Sequence, residues 1–109
     1  MATNNDGGAG APSERVGTEL LFENDRVRVW DLRLRPGERA GFHRHSHDYF
    51  FVVIGGGKLK SVRGDGSDWY ETEMGDGEVH FREIESEDVH DAVNVGDATW
   101  RNIVVELKR

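Results

Sequence analysis

Hydrophobic and polar residues alternate along much of this chain with the two-residue period of a β-strand. The segment RVRVWDLRL (26–34) shows the alternation and is rich in branched and aromatic residues. DYFFVVI (48–54) is a continuous apolar run, typical of a strand that is buried on both faces. No long stretch repeats apolar residues at the 3.6-residue spacing of a helix. The pattern therefore predicts strands and no helices.

Turn signals separate these segments at short intervals. Pro36-Gly37 is a favourable turn pair, and GGG at 55–57 must reverse the chain direction. The other predicted strands are KLKSV (58–62), WYETEM (69–74), GDGEVHF (75–81), HDAVNV (90–95) and TWRNIVVEL (99–107). Short strands with turns about every 8–12 residues predict an all-β sandwich or barrel.

Composition limits the number of domains and the classes of partner. The 109 residues suffice for one domain, with a Gly-rich, polar, disordered tail expected at 1–15 and the folded domain at 16–109. The start lacks the features of a signal peptide and no window is apolar enough to span a membrane, which favours a cytoplasmic protein. A net charge of −7 argues against nucleic-acid binding, and the absence of cysteine excludes thiolate chemistry.

The stretch GFHRHSHDYFF places His43, His45 and His47 at alternate positions. On a strand these side chains share one face, and neighbours two residues apart are separated by roughly 7 Å. Two such imidazoles can converge on one metal ion, at about 2.1 Å each. The outer pair, roughly 13 Å apart, cannot do so on a regular strand. The strand therefore offers two ligands, and His80 and His90 are the remaining histidines.

The spacing of glycines around these histidines resembles the first motif of the cupin superfamily, G-x5-H-x-H-x3–4-E-x6-G. Gly37, five residues, then His43 and His45 match its first half, and the GGG supplies its closing glycine at 56 or 57. Pairing His45 with His47 instead breaks both glycine spacings. The resemblance therefore selects His43 and His45.

The second cupin motif, G-x5-P-x-G-x2-H-x3-N, is matched by His90 and Asn94. Two departures stand out. EIESEDVH replaces the P-x-G element, and Tyr49 and Phe50 occupy the positions at which the first motif has its glutamate. Over residues 27–107 the chain is similar to small single-domain cupins associated with β-alanine degradation.

The resemblance implies an all-β, single-domain cupin, a short jelly-roll β-barrel of two sheets. It also implies a divalent metal ion held by His43, His45 and His90, as in three-histidine cupins. Fe²⁺ is the first choice, followed by Mn²⁺, Ni²⁺ or Zn²⁺. Neutral imidazoles leave such an ion its full charge, which favours an anionic, chelating substrate.

Two more residues are candidate catalytic groups. Tyr49 shares the strand parity of the histidines, so its phenol can hydrogen-bond a ligand near the metal. His47 is a candidate base or a residue at the lip of the pocket. His80 is expected to pack at the surface or in a loop, and the acidic segment EIESED (83–88) to form a solvated loop or to gate the pocket.

The predicted function is that of a metal-dependent enzyme acting on a small oxygen-rich acid or β-dicarbonyl compound. Dioxygenase-like cleavage comes first, with a lyase, isomerase or cyclase reaction as an alternative. A non-catalytic binding cupin, or a metal-free enzyme that uses histidines as acid and base, would also fit. A homodimer is expected from the resemblance and from exposed edge strands, with the apolar end TWRNIVVEL as the candidate contact.

Overall fold

A computed structural model of the protein describes residues 12–84 and 88–108. All its regular structure within these residues is β. The strands are β1 Glu19–Glu23, β2 Val27–Leu34, β3 His43–His45, β4 Tyr49–Ile54, β5 Gly56–Arg63, β6 Asp68–Gly75, β7 Val79–Arg82, β8 Asp88–Asn94 and β9 Trp100–Leu107. The described residues contain no helix long and apolar enough to cross a membrane.

The strands form two antiparallel sheets. One has five strands in the order β1-β2-β9-β4-β7, and the other has four in the order β3-β8-β5-β6. Neighbours in these sheets are often far apart in sequence, as with β2 and β9 at opposite ends of the chain. The two-sheet, all-β architecture predicted from the alternation is confirmed.

The core lies between the sheets and contains two clusters of buried side chains. The first surrounds Trp100, which is fully buried, and includes Leu32, Val53 and Met74. Alternation along β9 explains how this strand serves the core, because every second residue from Trp100 onward is buried. The second cluster is built from Val16, Trp30, Tyr49 and Val104.

Two strands differ from the sequence-based expectation. The segment that forms β1 was not predicted, since ELLFE is exposed along its whole length and lies at a sheet edge. β9 does not lie at an edge, because β2 and β4 pair with it on either side. The backbone of TWRNIVVEL is therefore unavailable for edge-to-edge pairing, and a homodimer contact through this segment stays a prediction.

The N-terminal side of the domain contacts the barrel at β3. The amide of Ser13 donates to the carbonyl of Phe42, and the amide of Arg44 donates to the carbonyl of Ser13. Val16, a few residues further on, is buried. Residues 12–15 of the predicted tail thus lie against the strand that carries His43 and His45. Residues 1–11 of the tail, and residues 85–87 of the acidic segment, lie outside the described residues.

Candidate metal centre

Three histidines from two neighbouring strands meet inside the barrel. Alternation along β3 turns His43 and His45 to the same side, and both are buried. The antiparallel register places His90 of β8 directly opposite His43. The three rings lie 4.6–4.9 Å apart between centroids. One ligand atom from each lies within 4.8 Å of the others, close to the span of about 4 Å that two nitrogens bound to one ion can reach.

The Nδ1 atoms of the three histidines have different surroundings. His43 Nδ1 donates to the carbonyl oxygen of Gly41 at 2.8 Å, which leaves the lone pair of Nε2 for a ligand. His90 Nδ1 lies 3.2 Å from Oδ2 of Asp88, though without the geometry of a good hydrogen bond. His45 Nδ1 is buried and has no hydrogen-bond partner among the described residues.

The surroundings favour the neutral form of the two histidines on β3, His43 and His45, and a metal ligand must be neutral. Burial, followed by repulsion from the neighbouring His90, lowers the pKa of His43 to about 4. Burial, followed by repulsion from the other two rings, lowers the pKa of His45 even more. Three converging imidazoles and the unpaired, buried Nδ1 of His45 suit a bound divalent cation, because a buried polar atom without a partner is costly. The residues present therefore fit a metal ion.

Tyr49 lies beside this cluster, as its parity predicts. It is buried and its ring stacks on that of His45, with centroids 3.9 Å apart and planes inclined by 14°. Burial raises the pKa of the phenol, and Asp88 adds to the effect, so the hydroxyl keeps its proton at neutral pH. Tyr49 can therefore donate a hydrogen bond to a ligand in the cavity.

The structure does not bring His47 to the cluster. This residue is half-buried between β3 and β4 and does not line the cavity, so its catalytic role stays a prediction. Asp48, the nearest carboxylate in sequence, accepts a hydrogen bond from the backbone amide of Ile84. As its strand parity predicts, it lies outside the histidine cluster.

The histidines form one part of the wall of a cavity of about 160 Å³. Most of the remaining wall is apolar and comes from both sheets: Leu32, Phe51, Leu59, Met74 and Val104. Trp69 and Tyr70 line it from β6 and are roughly half-exposed, which places them on the solvent side. Such a pocket suits a small molecule with an apolar body and one polar, chelating end.

Several cavity residues were missed or misjudged from the sequence. His80, expected at the surface or in a loop, lines the cavity and stacks on Phe51 at 5.1 Å. Arg82 lines the cavity on the same strand, opposite Tyr49, and takes part in none of the described ion pairs. The alternating pattern VHFR signals that His80 and Arg82 share a face. Which face it is depends on the pairing of β7 with β4, a long-range property.

Asn94, the asparagine of the second motif, forms hydrogen bonds with backbone groups and does not line the cavity. The Nδ2 group of Asn94 donates to the carbonyls of Leu34 and Ala98, and its Oδ1 accepts from the amide of Gly96. The fully buried Asp91 has a comparable role nearby. It accepts hydrogen bonds from the amide of Gly41 at 2.7 Å and from Arg39 at 2.5 Å. These contacts fix the segment that leads into β3.

Comparison with known proteins supports the fold. No protein-family model and no curated protein matches the chain. A cupin domain from Bordetella pertussis Tohama I superposes over 94% of this chain and 100% of its own, with 28% identity and a TM-score of 0.74. A sugar phosphate isomerase of the cupin superfamily from Silicibacter pomeroyi shares 26% identity over 77% of this chain and 52% of its own, with a TM-score of 0.53.

A third solved structure is the polyketide cyclase RemF from Streptomyces resistomycificus. It covers 79% of this chain and 57% of its own, with 24% identity and a TM-score of 0.57. The two antiparallel sheets and these structural neighbours together show that the chain has the cupin fold, a double-stranded β-helix, with a three-histidine cluster inside it that could hold a metal ion.

Proposed function

We propose that this protein is a metal-dependent enzyme that acts on a small, anionic, chelating substrate. The convergence of three histidines on one point of a largely apolar cavity carries the proposal. His43, His45 and His90 would hold the ion, with Fe²⁺ as the first choice and Mn²⁺, Ni²⁺ or Zn²⁺ next. When bound, the ion supplies Lewis acidity toward substrate oxygens and, if it is redox-active, O₂ chemistry.

The chain's own residues would bind and orient the substrate. The apolar wall excludes water from the reacting end, which strengthens every electrostatic contact there. Tyr49 keeps its proton beside His45 and can donate a hydrogen bond to a substrate oxygen as negative charge develops there. Arg82, on the same wall and without a described ion-pair partner, suits an anionic group at the far end of the substrate.

Dioxygenase-like cleavage of a β-dicarbonyl acid is the first reaction to test. A non-redox isomerase, lyase or cyclase reaction is the second, because two of the structural neighbours are an isomerase and a cyclase. A link to β-alanine degradation stays a prediction of the sequence resemblance. The lowered pKa values of His43 and His45 make these residues weak bases, which favours a ligand role over metal-free acid–base catalysis.

The metal assignment can be tested on protein purified without added metal. We expect about one equivalent of a divalent ion per chain, and its loss in His43→Ala and His90→Ala. His47→Ala is a matched control from the same stretch, because His47 does not line the cavity. Elemental analysis gives the result. Retention of stoichiometric metal in both ligand variants would overturn the assignment.

The reaction class can be separated with a panel of 1,3-dicarbonyl acids. O₂ uptake that matches product formation supports the dioxygenase, whereas product without O₂ uptake supports the non-redox reaction. Metal-dependent binding without turnover would make the protein a binding module. Activity that survives complete chelation would show that the histidines work without a metal.

A further inference from the structure

The wall of the cavity contains a deeply buried amide that the proposed function does not use. Asn102 of β9 is 3% exposed and lines the cavity. Its cross-strand partners are Leu32 on β2 and Val53 on β4, both buried and apolar. An amide placed between two such residues costs free energy unless its polar groups find hydrogen-bond partners. The partners of Asn102 therefore indicate what this residue is for.

The oxygen of the Asn102 amide already has a partner, whereas its nitrogen does not. Trp100, two residues earlier on the same face of β9, is fully buried, and its Nε1 donates to Oδ1 of Asn102 at 2.6 Å. An indole N–H can only donate, so the amide must turn its oxygen toward Trp100 and its NH₂ group away from it. The NH₂ group forms no hydrogen bond with the described residues. Trp100 thus uses the acceptor of Asn102 and leaves two N–H donors open to the cavity.

Asn102 and the histidine cluster lie at different levels along the cavity. Tyr49, whose ring stacks on His45, is the cross-strand partner of Glu106. Asn102 is four positions before Glu106 on β9, which corresponds to roughly 13 Å along the strand. Val104 faces the cavity between these two levels. The cavity therefore has a second polar level, separated from the first by apolar wall, and we call it the Asn102 end.

The charged residues of the described cavity wall lie at the level of the histidines and not at the Asn102 end. Arg82 is the cross-strand partner of Tyr49, and Asp88 is that of His45. A carboxylate at the Asn102 end would lose its hydration without meeting a cation, which is costly. An uncharged carbonyl or hydroxyl oxygen pays a smaller cost and can accept the free N–H groups. The Asn102 end therefore suits an uncharged oxygen.

We propose that Asn102 determines substrate specificity by donating a hydrogen bond from its NH₂ group to an uncharged oxygen of the substrate. The inference rests on the proposed function for the chelating part of the molecule, which the metal ion would hold. It adds a substrate class, a small acid whose charged groups stay at the level of the histidines and Arg82 while its apolar body carries a carbonyl or hydroxyl oxygen to Asn102. An analogue without that oxygen is rejected, because it leaves a buried donor unpaired.

Two acids of equal chain length test the inference on the zinc-loaded protein. 3-Oxoheptanoate and 3,6-dioxoheptanoate share the chelating end and differ in one carbonyl group. Zinc is not redox-active, so calorimetric titration measures binding without O₂ chemistry. We expect the wild type to bind 3,6-dioxoheptanoate about tenfold more tightly, and Asn102→Leu to lose this preference. Val104→Ala is the matched control from the same face of β9, and it should weaken both acids by the same factor.

A second measurement needs no variant, because Asn102→Leu also removes the acceptor of Trp100 Nε1 and could fail to fold. In the NMR spectrum of the zinc-loaded wild type, a side-chain NH₂ proton of Asn102 should move downfield with 3,6-dioxoheptanoate and stay in place with 3-oxoheptanoate. Far-UV circular dichroism identifies any variant that is unfolded. A preference for 3,6-dioxoheptanoate that survives in folded Asn102→Leu would contradict the role of Asn102.

The remaining outcomes separate this inference from the proposed function. Equal affinities for the two acids in the wild type, with the Asn102 resonances unmoved, would refute the inference and leave the metal assignment intact. Tighter binding of 3-oxoheptanedioate, which carries a carboxylate in place of the second carbonyl, would refute the uncharged substrate class. If neither acid binds, the substrate class is wrong in the inference and in the proposed function alike, and the metal content of the same sample reports independently on the three histidines.

Discussion

Each of the two sheets contains a deeply buried carboxylate, and the two serve different ends. On the four-stranded sheet, Asp91 binds the amide of Gly41, and the carbonyl of Gly41 in turn accepts the Nδ1 proton of His43. On the five-stranded sheet, Glu106 joins Arg28 at 2.6 Å and the indole of Trp30 at 2.8 Å. Asp91 therefore supports a candidate metal ligand, whereas Glu106 supports the packing of β2 on β9. Burial alone therefore does not indicate a functional residue. The contacts that link a buried residue to the candidate metal ligands do.

Loss of either buried carboxylate charge should give the largest effect on stability. Asp91→Asn and Glu106→Gln each remove a buried charge that accepts several hydrogen bonds, and we expect each to destabilise the protein by about 3 kcal/mol. Urea denaturation measures this loss. Only Asp91→Asn should also weaken metal binding. An equal loss of metal affinity in Glu106→Gln would break the distinction between the two sheets.

The pH dependence of stability should come mainly from His43 and His45 of the four-stranded sheet. The folded-state pKa of His43, about 4, lies below the unfolded value of 6.5, so above pH 6.5 both states are neutral and stability is full. As the pH falls from 6.5 toward 4, the unfolded chain binds protons that the folded chain refuses. Stability of the metal-free protein then falls by about 1.4 kcal/mol per pH unit for each such histidine.

Denaturation of the metal-free protein at pH 7.5, 6.0 and 5.0 measures this slope. His43→Gln should reduce this slope, because it removes a histidine whose folded-state pKa is lowered. An unchanged slope in His43→Gln would mean that this histidine is not its source.

Substitution of Asp88 tests whether its carboxylate supports His90, the third candidate metal ligand. Asp88→Asn removes the charge 3.2 Å from His90 Nδ1, and we expect metal affinity to fall by about 10- to 100-fold. Competition with a coloured chelator gives the affinity. Asp68→Asn is a suitable control, since Asp68 lies on the same sheet but pairs with Lys60 at the surface. Equal effects in the two variants would refute a specific role for Asp88.

Removal of the Tyr49 hydroxyl should give the smallest effect, a loss of catalytic rate without a loss of metal. Tyr49 belongs to the five-stranded sheet, whereas the three candidate ligands belong to the four-stranded sheet. Tyr49→Phe keeps the ring that stacks on His45 and removes only the hydroxyl. Metal content should be unchanged, and kcat on an active 1,3-dicarbonyl acid should fall about tenfold, equivalent to about 1.4 kcal/mol in the transition state. A loss of metal with no separate loss of kcat would assign Tyr49 to ligand packing instead.

Local patterns predicted most of the fold, because alternation and turn residues act over a few positions. β2, β4 and β9 follow directly from their apolar spacing. β1 was missed since an exposed edge strand buries no face that would produce a pattern. The central place of β9 between β2 and β4 was not predicted, because the choice of strand partners depends on residues far apart in sequence.

The part of the candidate site that depends on residues close in sequence was predictable. The part that depends on long-range strand pairing was not. Parity placed His43, His45 and His47 on one face. The motif resemblance then selected His43 and His45 and supplied His90, which the structure pairs with His43. Arg82 and His80 could not be found in this way, because a strand pattern shows which residues share a face but not what that face meets. That information resides in the register between β4 and β7, about 30 residues apart.

The hydrogen bond from His43 to a main-chain carbonyl has a consequence for how this site tolerates sequence change. No side-chain replacement can delete the Gly41 oxygen, whereas a single substitution removes the carboxylate beside His90. The ligand orientation at His43 is instead sensitive to backbone shape. Gly41 has a φ of 91°, so any larger residue there would be strained although space is open around it. In related chains, change at 88 should retune the centre gradually, and change at 41 should disrupt it at once.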